Sequence, residues 1–174
     1  MPQNALILVD FQKEWIDSKS DYFVGDISDV VEKTNRLIAY CRERGDLIIF
    51  TQHVDLESED AFAPDSASAQ VLDELKIEES DILITKNKIS PFYKTNLESV
   101  LSGVSSVVVC GILTNLCVRS VVQDAYDRDF EITVITDCCV AFDIETQAFT
   151  FKDLKATREE ICFIDTKKFF LDIP

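Results

Sequence analysis

The sequence predicts a three-layer α/β/α fold built on a doubly wound, mostly parallel sheet of about six strands, similar to a Rossmann fold. Short apolar runs rich in Val, Ile and Leu alternate along the chain with longer amphipathic segments. Nearly continuous apolar strands are typical of a parallel sheet that helices cover on both faces. The 174 residues are enough for one domain, 1–174, with a sizeable core.

The elements follow from this alternation. The apolar runs predict strands at 5–9, 47–51, 82–85, 107–110, 132–136 and 161–164, and the amphipathic segments predict helices at 27–44, 98–101, 115–128 and 144–154. Apolar residues at helical spacing place Cys41 in the core, and Gly45 ends the first helix. The polar, acidic stretch 55–68 is a loop, exposed to solvent or bordering a pocket or a subunit contact.

Charge and hydropathy exclude several classes of partner. The net charge of −15 opposes binding to nucleic acid and to an anionic membrane surface. The apolar run 5–9 is too short for a signal peptide or a membrane span, and no basic region precedes it. We therefore expect a cytoplasmic protein with a small-molecule substrate.

Cysteine and histidine usage narrows the chemistry. The six cysteines are expected to be reduced thiols, and no Cys-x-x-Cys pair indicates zinc or a redox centre. His53 is the only histidine, which excludes a multi-histidine metal site and limits Cys-His or Ser-His catalysis. The sequence predicts no metal and no cofactor.

Ligands of open α/β sheets bind beyond the carboxyl ends of the strands, so residues at those ends are the candidates for a site. Asp10, Lys86, the Cys110-Gly111 step and Asp137 each follow a predicted strand. Asp10, taken alone, is compatible with a turn or cap as well as with a partly desolvated acid. The Cys138-Cys139 pair after Asp137 either approaches the site or packs in the core.

The segment 107–125 carries the most information. Gly111 permits a sharp turn, and Thr114 is an expected N-cap for a helix that turns Val118, Val121, Val122 and Ala125 inward. Cys117 then lies in the first helical turn, where free N–H groups and the helix dipole favour a thiolate and can hold an oxyanion. A buried core thiol is the alternative for Cys117.

Three blocks in this order resemble the isochorismatase-like cysteine hydrolases, which include nicotinamidases and N-carbamoylsarcosine amidases. The blocks are Ala-Leu-Ile-Leu-Val-Asp-Phe-Gln-Lys-Glu-Trp at 5–15, Ile-Thr-Lys-Asn-Lys-Ile-Ser-Pro-Phe-Tyr-Lys-Thr-Asn-Leu at 84–97, and Gly-Ile-Leu-Thr-Asn-Leu-Cys-Val at 111–118. The resemblance covers nearly the whole chain. It implies hydrolysis of a small amide, carbamoyl or ureide substrate through a thioester, and a homo-oligomer.

By this resemblance the catalytic triad is Asp10, Lys86 and Cys117. Lys88 has the same strand parity as Lys86 and is a rival, but the family lysine precedes the Ser by four residues, as Lys86 precedes Ser90. The resemblance also implies a cis peptide between Ile112 and Leu113. It places the N–H groups of Leu113 and Cys117 in an oxyanion hole.

Other residues are assigned less directly. Phe11, Trp15 and Phe92 flank the motifs and either line an apolar pocket for a small ligand or pack in the core. Nicotinamidases hold a metal with an Asp and several His residues after the second strand, and His53 has no second histidine near it. His53 is therefore expected to be a rim residue that contacts substrate.

Three other functions are alternatives to amide hydrolysis. A strand-end Asp of a phosphotransferase needs a second acid two residues later, and that position is Gln12. True isochorismatases hydrolyse a vinyl ether on the same fold without a thiol nucleophile, and the presence of Cys117 favours amide chemistry. A non-catalytic binding member of the family is the third alternative.

Overall fold

A computed structural model describes residues 4–171, so the ends of the predicted 1–174 domain lie outside the described part. Six parallel strands form one sheet in the order β3-β2-β1-β4-β5-β6. The strands are β1 (Asn4–Val9), β2 (Leu47–His53), β3 (Ile82–Lys86), β4 (Ser106–Ile112), β5 (Glu131–Val140) and β6 (Cys162–Ile164). The predicted fold class is confirmed, and the sheet is parallel throughout.

Within residues 4–171, five α-helices connect and cover the strands. They are α1 (Ser28–Glu43), α2 (Leu97–Val100), α3 (Arg119–Tyr126), α4 (Ile144–Thr157) and α5 (Thr166–Leu171). Right-handed crossovers put α1 on one face and the helices after β4 and β5 on the other. Contacts agree with this arrangement, since Tyr40 of α1 packs on Phe169 of α5, while Arg119 of α3 pairs with Asp153 of α4.

The core lies on both faces of the central strands. All five residues from Ala5 to Val9 of β1 have no exposed surface. The predicted inward residues of α3 and of the turn before it are also buried. Within residues 4–171, no helix combines the length and apolar character needed to cross a bilayer.

Strands β2 and β3 extend the sheet on one side of β1, and strands β4, β5 and β6 extend it on the other. The crevice at such a switch point is where α/β sheets bind ligands. Asp10 follows β1, and Cys117 lies in a short helical turn that follows β4. The topology therefore brings two of the predicted residues to the same crevice.

Gly111 serves a different purpose from the predicted turn. Strand β4 continues through Gly111 to Ile112, and Gly111 has φ +143°. A Cβ built on Gly111 would lie 2.1 Å from the carbonyl oxygen of Val9 in β1. Glycine is required here because the two strands approach too closely for any side chain.

The region after β5 also differs from expectation. Asp137 lies within β5 and accepts hydrogen bonds of 2.8 Å from both the backbone N–H and the hydroxyl of Thr166. It therefore anchors the start of α5, a helix that the sequence pattern did not predict. Cys138 and Cys139 are buried in the core cluster, so the packing alternative holds for this pair.

Candidate active site

Buried polar side chains collect at the carboxyl ends of β1, β2 and β3. Asp10 and Gln12 have no exposed surface, Thr51 is 1% exposed and Lys86 is 2% exposed. Burial of charged and polar groups costs free energy unless partners satisfy them, and it rarely improves stability over apolar packing. Such a concentration at the ligand-binding edge of the sheet indicates a functional site.

Lys86 contacts the other two predicted catalytic residues, Asp10 and Cys117. Its ammonium nitrogen lies 2.7 Å from Oδ2 of Asp10 and 3.4 Å from Sγ of Cys117, and it donates a 3.1 Å hydrogen bond to the carbonyl oxygen of Lys88. Both charged side chains are fully buried. Oδ2 of Asp10 forms an ion pair but accepts no well-aligned hydrogen bond from residues 4–171, so it can still take a proton.

Local structure fixes the orientation of Asp10. Its backbone has φ +52°, in the left-handed region. Its N–H bonds to the carbonyl oxygen and the hydroxyl of Thr51, at 3.2 and 3.1 Å. Its carbonyl oxygen accepts a 2.8 Å hydrogen bond from the indole N–H of Trp15. These contacts hold a residue that leaves the strand in a sparsely populated conformation.

Cys117 lies in a π-helical turn, Thr114–Val118, that leads directly into α3. The sequence placed Cys117 in the first helical turn, and the structure agrees. The N-cap, however, is Leu113, while Thr114 is buried and donates a 3.4 Å hydrogen bond to Gln147. Wider helical turns of this kind are frequent at functional sites.

Burial raises the pKa of the Cys117 thiol to about 12, and the negative charge of Asp10 adds to the rise while Lys86 opposes it. The resting residue is therefore a neutral thiol at pH 7, in contrast to the thiolate that the helix terminus led us to expect. Cys110 and Cys139 also have raised pKa values through burial. What sets Cys117 apart from these two thiols is its 3.4 Å contact with the Lys86 ammonium, which is itself paired with Asp10.

The rival lysine is not part of this group. The Lys88 side chain is exposed, and Lys88 contributes only its backbone carbonyl to Lys86. Strand parity in the sequence could not separate the two residues, because it assumed that the strand continues through Lys88, whereas β3 ends at Lys86. Burial separates them, since Lys86 points into the crevice and Lys88 lies beyond the end of β3.

The peptide bond between Ile112 and Leu113 is cis. The carbonyl oxygen of Leu113 accepts hydrogen bonds from the N–H groups of Leu116 and Val118, each at 3.1 Å. The predicted place of the Leu113 N–H in an oxyanion hole, with the Cys117 N–H, stays a prediction.

An aromatic cluster borders Asp10. The Trp15 ring lies 4.9 Å from Phe62, 6.0 Å from Tyr22 and 6.3 Å from Phe142, measured between ring centroids. Tyr22 and Phe142 are about half exposed, so the cluster runs from the buried acid to the surface. Phe62 belongs to the 55–68 stretch, which therefore borders the site.

The other two predicted aromatic residues occupy different surroundings. Phe11 is 1% exposed and belongs to the core. Phe92 is buried, and the Arg128 guanidinium carbon lies 4.4 Å from its ring centroid. The contacts of Phe11 and Phe92 are those of packing residues, and their role in substrate binding stays a prediction, as does that of Trp15.

His53 lies at the end of β2 with its ring 5.6 Å from that of Phe62. Burial is the main cause that lowers the pKa of His53, and the charge of Lys86 lowers it further. The imidazole is therefore neutral at pH 7. Its Nδ1 atom is buried without a hydrogen-bond partner in the described chain, and its proposed contact with substrate remains open.

The nicotinamidase metal site does not fit these residues. Zinc in proteins takes three or four nitrogen, sulfur or oxygen ligands. Between residues 4 and 171, no group of three or more His, Cys, Asp or Glu side chains is placed to hold a metal ion. The residues after β2 offer one imidazole, and that imidazole packs against Phe62.

Three residues of the site were missed from the sequence. Thr51 interrupts the apolar run of β2 one strand away from Asp10, and parallel register with Val9 could have indicated it. The side-chain amide of Gln12 accepts a 2.8 Å hydrogen bond from the N–H of His53 and donates a 2.7 Å hydrogen bond to its carbonyl oxygen. Phe62 comes from a loop, and no periodic pattern predicts where a loop side chain packs.

The fold and the buried group define a class of protein: a doubly wound α/β protein whose crevice combines a thiol, a carboxylate and an ammonium group. Residues 4–164 match the family model described as the isochorismatase domain. The chain belongs to the isochorismatase family, whose members are hydrolases.

Two curated relatives cover most of the chain. A protein of Arabidopsis thaliana named probable inactive nicotinamidase is 32% identical, over 87% of this chain and 87% of its own length. The ureidoacrylate amidohydrolase RutB of Klebsiella pneumoniae is 29% identical, over 78% of this chain and 72% of its own.

Solved structures show the same fold. An isochorismatase family protein from Desulfovibrio vulgaris superposes with a TM-score of 0.89 at 19% identity, covering 98% of this chain and 97% of that one. A pyrazinamidase of Pyrococcus horikoshii, solved in complex with zinc, gives a TM-score of 0.83 at 24% identity, covering 94% of this chain and 99% of that one.

Proposed function

We propose that the protein is a cysteine hydrolase that cleaves the C–N bond of a small amide, carbamoyl or ureide substrate. One observation carries this proposal: the buried Lys86 ammonium contacts both Oδ2 of Asp10 and Sγ of Cys117. A nucleophile beside a base, held by a third charged group, is the arrangement expected for covalent catalysis. It also accounts for hydrolysis in a chain with one histidine.

The first half of the reaction forms a thioester. Oδ2 of Asp10 takes the thiol proton as Sγ of Cys117 attacks the carbonyl carbon, and the carbonyl oxygen becomes an oxyanion. The N–H groups of Leu113 and Cys117 are proposed to bind this oxyanion. The tetrahedral intermediate then collapses, the C–N bond breaks, and Asp10 returns its proton to the leaving nitrogen.

The second half releases the acid. Asp10, now a carboxylate again, takes a proton from a water molecule that attacks the thioester carbonyl. The C–S bond breaks, and the Cys117 sulfur recovers a proton from Asp10. The Lys86 ammonium compensates the negative charge, which moves between Asp10 and the reacting atoms. This role suits a lysine whose ammonium is enclosed by acceptors.

The relatives support C–N chemistry. The names of RutB and of the Pyrococcus horikoshii protein describe an amidohydrolase and an amidase. A vinyl-ether reaction needs no thiol, and it would leave the contact between Cys117 and Lys86 without a use. The amide reaction is the one that employs all three buried groups.

A non-catalytic binding protein is the second candidate, and the name of the Arabidopsis thaliana relative favours it. The two candidates differ in turnover. An ammonia-release assay over nicotinamide, N-carbamoyl amino acids, ureides and simple amides separates them, with Cys117→Ala as the blank and Cys162→Ala as the matched control. We expect ammonia release that Cys117→Ala abolishes and Cys162→Ala, at an exposed thiol, retains. Silence of the unaltered protein across the panel contradicts the proposed reaction.

Assembly and location are also proposals. We propose a homo-oligomer, and Phe142, which packs near Trp15, and Ile144, 51% and 84% exposed, are apolar surface that a subunit contact would cover. Sedimentation velocity tests this, and a monomer at all concentrations contradicts it. The cytoplasmic location stays a prediction.

A further inference from the structure

Thr51 lies in β2 directly beside β1, where its Cα pairs with that of Val9. Its side chain is 1% exposed and forms no contact with solvent that would explain a hydroxyl at this position. The neighbouring residues Ile49 and Phe50 are buried and apolar. The hydroxyl is therefore the first buried polar group after the apolar part of β2, and its hydrogen-bond partners identify its use.

Both partners of the hydroxyl belong to Asp10. The backbone N–H of Asp10 donates to Oγ1 of Thr51 at 3.1 Å, and Oγ1 donates to Oδ1 of Asp10 at 2.5 Å. A hydroxyl has one proton. Because the N–H can only donate, the hydroxyl proton must point to the carboxylate oxygen. The direction of both hydrogen bonds is thus fixed by chemistry.

This contact makes the two oxygens of Asp10 unequal. Oδ1 is occupied by the hydroxyl proton of Thr51, whereas Oδ2 lies 2.7 Å from the Lys86 ammonium and accepts no well-aligned hydrogen bond in residues 4–171. Oδ2 is therefore the oxygen with fewer hydrogen-bond donors, and it lies beside the Lys86 ammonium, which also contacts the Cys117 sulfur. The hydrogen bond from Thr51 opposes rotation of the carboxylate plane about the Cβ–Cγ bond, and so keeps one oxygen directed toward Lys86.

The same contact supports the backbone. Asp10 is the residue at φ +52°, which costs free energy for a side chain other than glycine. Its N–H is shared between the hydroxyl and the carbonyl oxygen of Thr51. Thr51 therefore holds Asp10 at three atoms: its backbone nitrogen directly, its Oδ1 directly, and its Oδ2 through the orientation of the carboxylate.

We infer that Thr51 is a positioning residue of the reaction, which directs Oδ2 of Asp10 toward Lys86 and Cys117 and reserves that oxygen for proton transfer. The inference rests on the proposed function, because it assigns a purpose to Thr51 within that mechanism. Thr51 itself does not contact the reacting atoms. Its effect on rate is exerted through the orientation of Asp10.

Three variants test this inference. Thr51→Val keeps the shape and removes the hydroxyl, Thr51→Ser keeps the hydroxyl, and Thr150→Val removes a buried hydroxyl whose 2.8 Å hydrogen bond stays within α4. Steady-state kinetics are measured with the fastest substrate of the ammonia-release panel, and a crystal structure of Thr51→Val reports the Asp10 carboxylate.

We expect Thr51→Val to lower kcat by about 10- to 100-fold, the effect of losing a hydrogen bond to a charged group, with KM changed less than about twofold. Thr51→Ser restores kcat, and Thr150→Val leaves it unchanged. In the crystal structure of Thr51→Val the carboxylate is rotated away from Lys86. A merely structural role would instead lower stability and leave kcat unchanged for the folded fraction.

Two results would overturn the inference: an unchanged kcat in Thr51→Val, or an equal loss of kcat in the Ser and Val variants. A structural result would also overturn it, namely an Asp10 carboxylate that keeps its position in the Thr51→Val crystal structure. This structural test applies even if no substrate of the panel turns over. Failure of the proposed function is distinct, since the unaltered protein would then be silent across the panel or Cys117→Ala would retain its activity.

Discussion

The ammonium nitrogen of Lys86 lies 3.4 Å from the sulfur of Cys117, at the carboxyl edge of the central strands. The residues come from different elements, 31 positions apart, and meet because parallel strands end at the same edge of the sheet. The thiol is thus paired with a cation that is itself paired with Asp10. Substitutions at these three residues should therefore change activity, stability and thiol reactivity in different ways.

Replacement of Lys86 should remove both activity and stability. Lys86→Met leaves the buried Asp10 carboxylate without its cation, and loss of one partner of a buried ion pair costs about 3–5 kcal/mol. Urea denaturation measures the loss. The double variant Asp10→Asn/Lys86→Met should recover most of the stability but no activity. The matched control Lys88→Met, at an exposed side chain, should keep both, and an equal loss in the control contradicts the assignment.

Asp10→Asn should lower the pKa of the Cys117 thiol from about 12. The carboxylate charge disfavours a thiolate, so its removal leaves Lys86 to favour one. The rate of iodoacetamide alkylation of Cys117 at pH 8 should therefore rise, while turnover falls by about 10²- to 10⁴-fold for want of a proton carrier. Alkylation is followed by mass spectrometry of the digested protein, in which the peptide with the exposed Cys162 provides an internal reference. Slower alkylation of Cys117 relative to Cys162 would show that Asp10 does not act on the thiol in this way.

Stability should decrease at alkaline pH. Burial raises the pKa of Cys41, Cys117 and Cys138 from 9.0 to about 12. Between pH 9 and 12 the unfolded thiols ionise and the folded thiols do not, so each one lowers the free energy of unfolding by about 1.4 kcal/mol per pH unit. Urea denaturation at pH 8 and pH 10 measures the slope. Cys41→Ala should reduce the slope and Cys162→Ala should not; equal slopes in both variants would refute the assignment.

Gly111→Ala should destabilise the protein far more than a glycine substitution elsewhere. The new Cβ would lie 2.1 Å from the Val9 carbonyl oxygen and force β1 and β4 apart beneath the site. We expect a loss of about 3 kcal/mol or more, against about 1 kcal/mol for Gly103→Ala, where φ is +86° and no atom lies within 4 Å. Thermal unfolding compares the two. Similar losses would mean that backbone conformation, not the close approach of the strands, requires Gly111.

The fold and the centre of the site follow from local pattern. Asp10 ends an apolar strand, and Cys117 begins a helix after another, so the rule for parallel sheets brings them to one edge. The chemistry around them depends on tertiary contacts. Thr51 acquires its purpose only from the register of β2 against β1. Burial raises the pKa of the Cys117 thiol, against the lower pKa expected at a helix N-terminus. No pattern in the sequence predicts the burial of a single thiol.

The aromatic surroundings were harder to predict for the same reason. Phe62 and Phe142 come from connections between elements, and they meet Trp15 through packing that has no period in the sequence. Phe92 was predicted either to line the pocket or to pack in the core, and its ring contacts Arg128. Position in a motif could not decide between these two roles, because the decision depends on tertiary packing.

The central claim is that Cys117 forms a covalent thioester. Acid quenching during turnover of the best amide in the panel, followed by peptide mass spectrometry, tests it most directly. We predict that the peptide containing Cys117 gains the mass of the acyl group, and that the adduct disappears once the substrate is consumed. Turnover with no adduct on Cys117, and with undiminished activity in Cys117→Ala, would contradict the account.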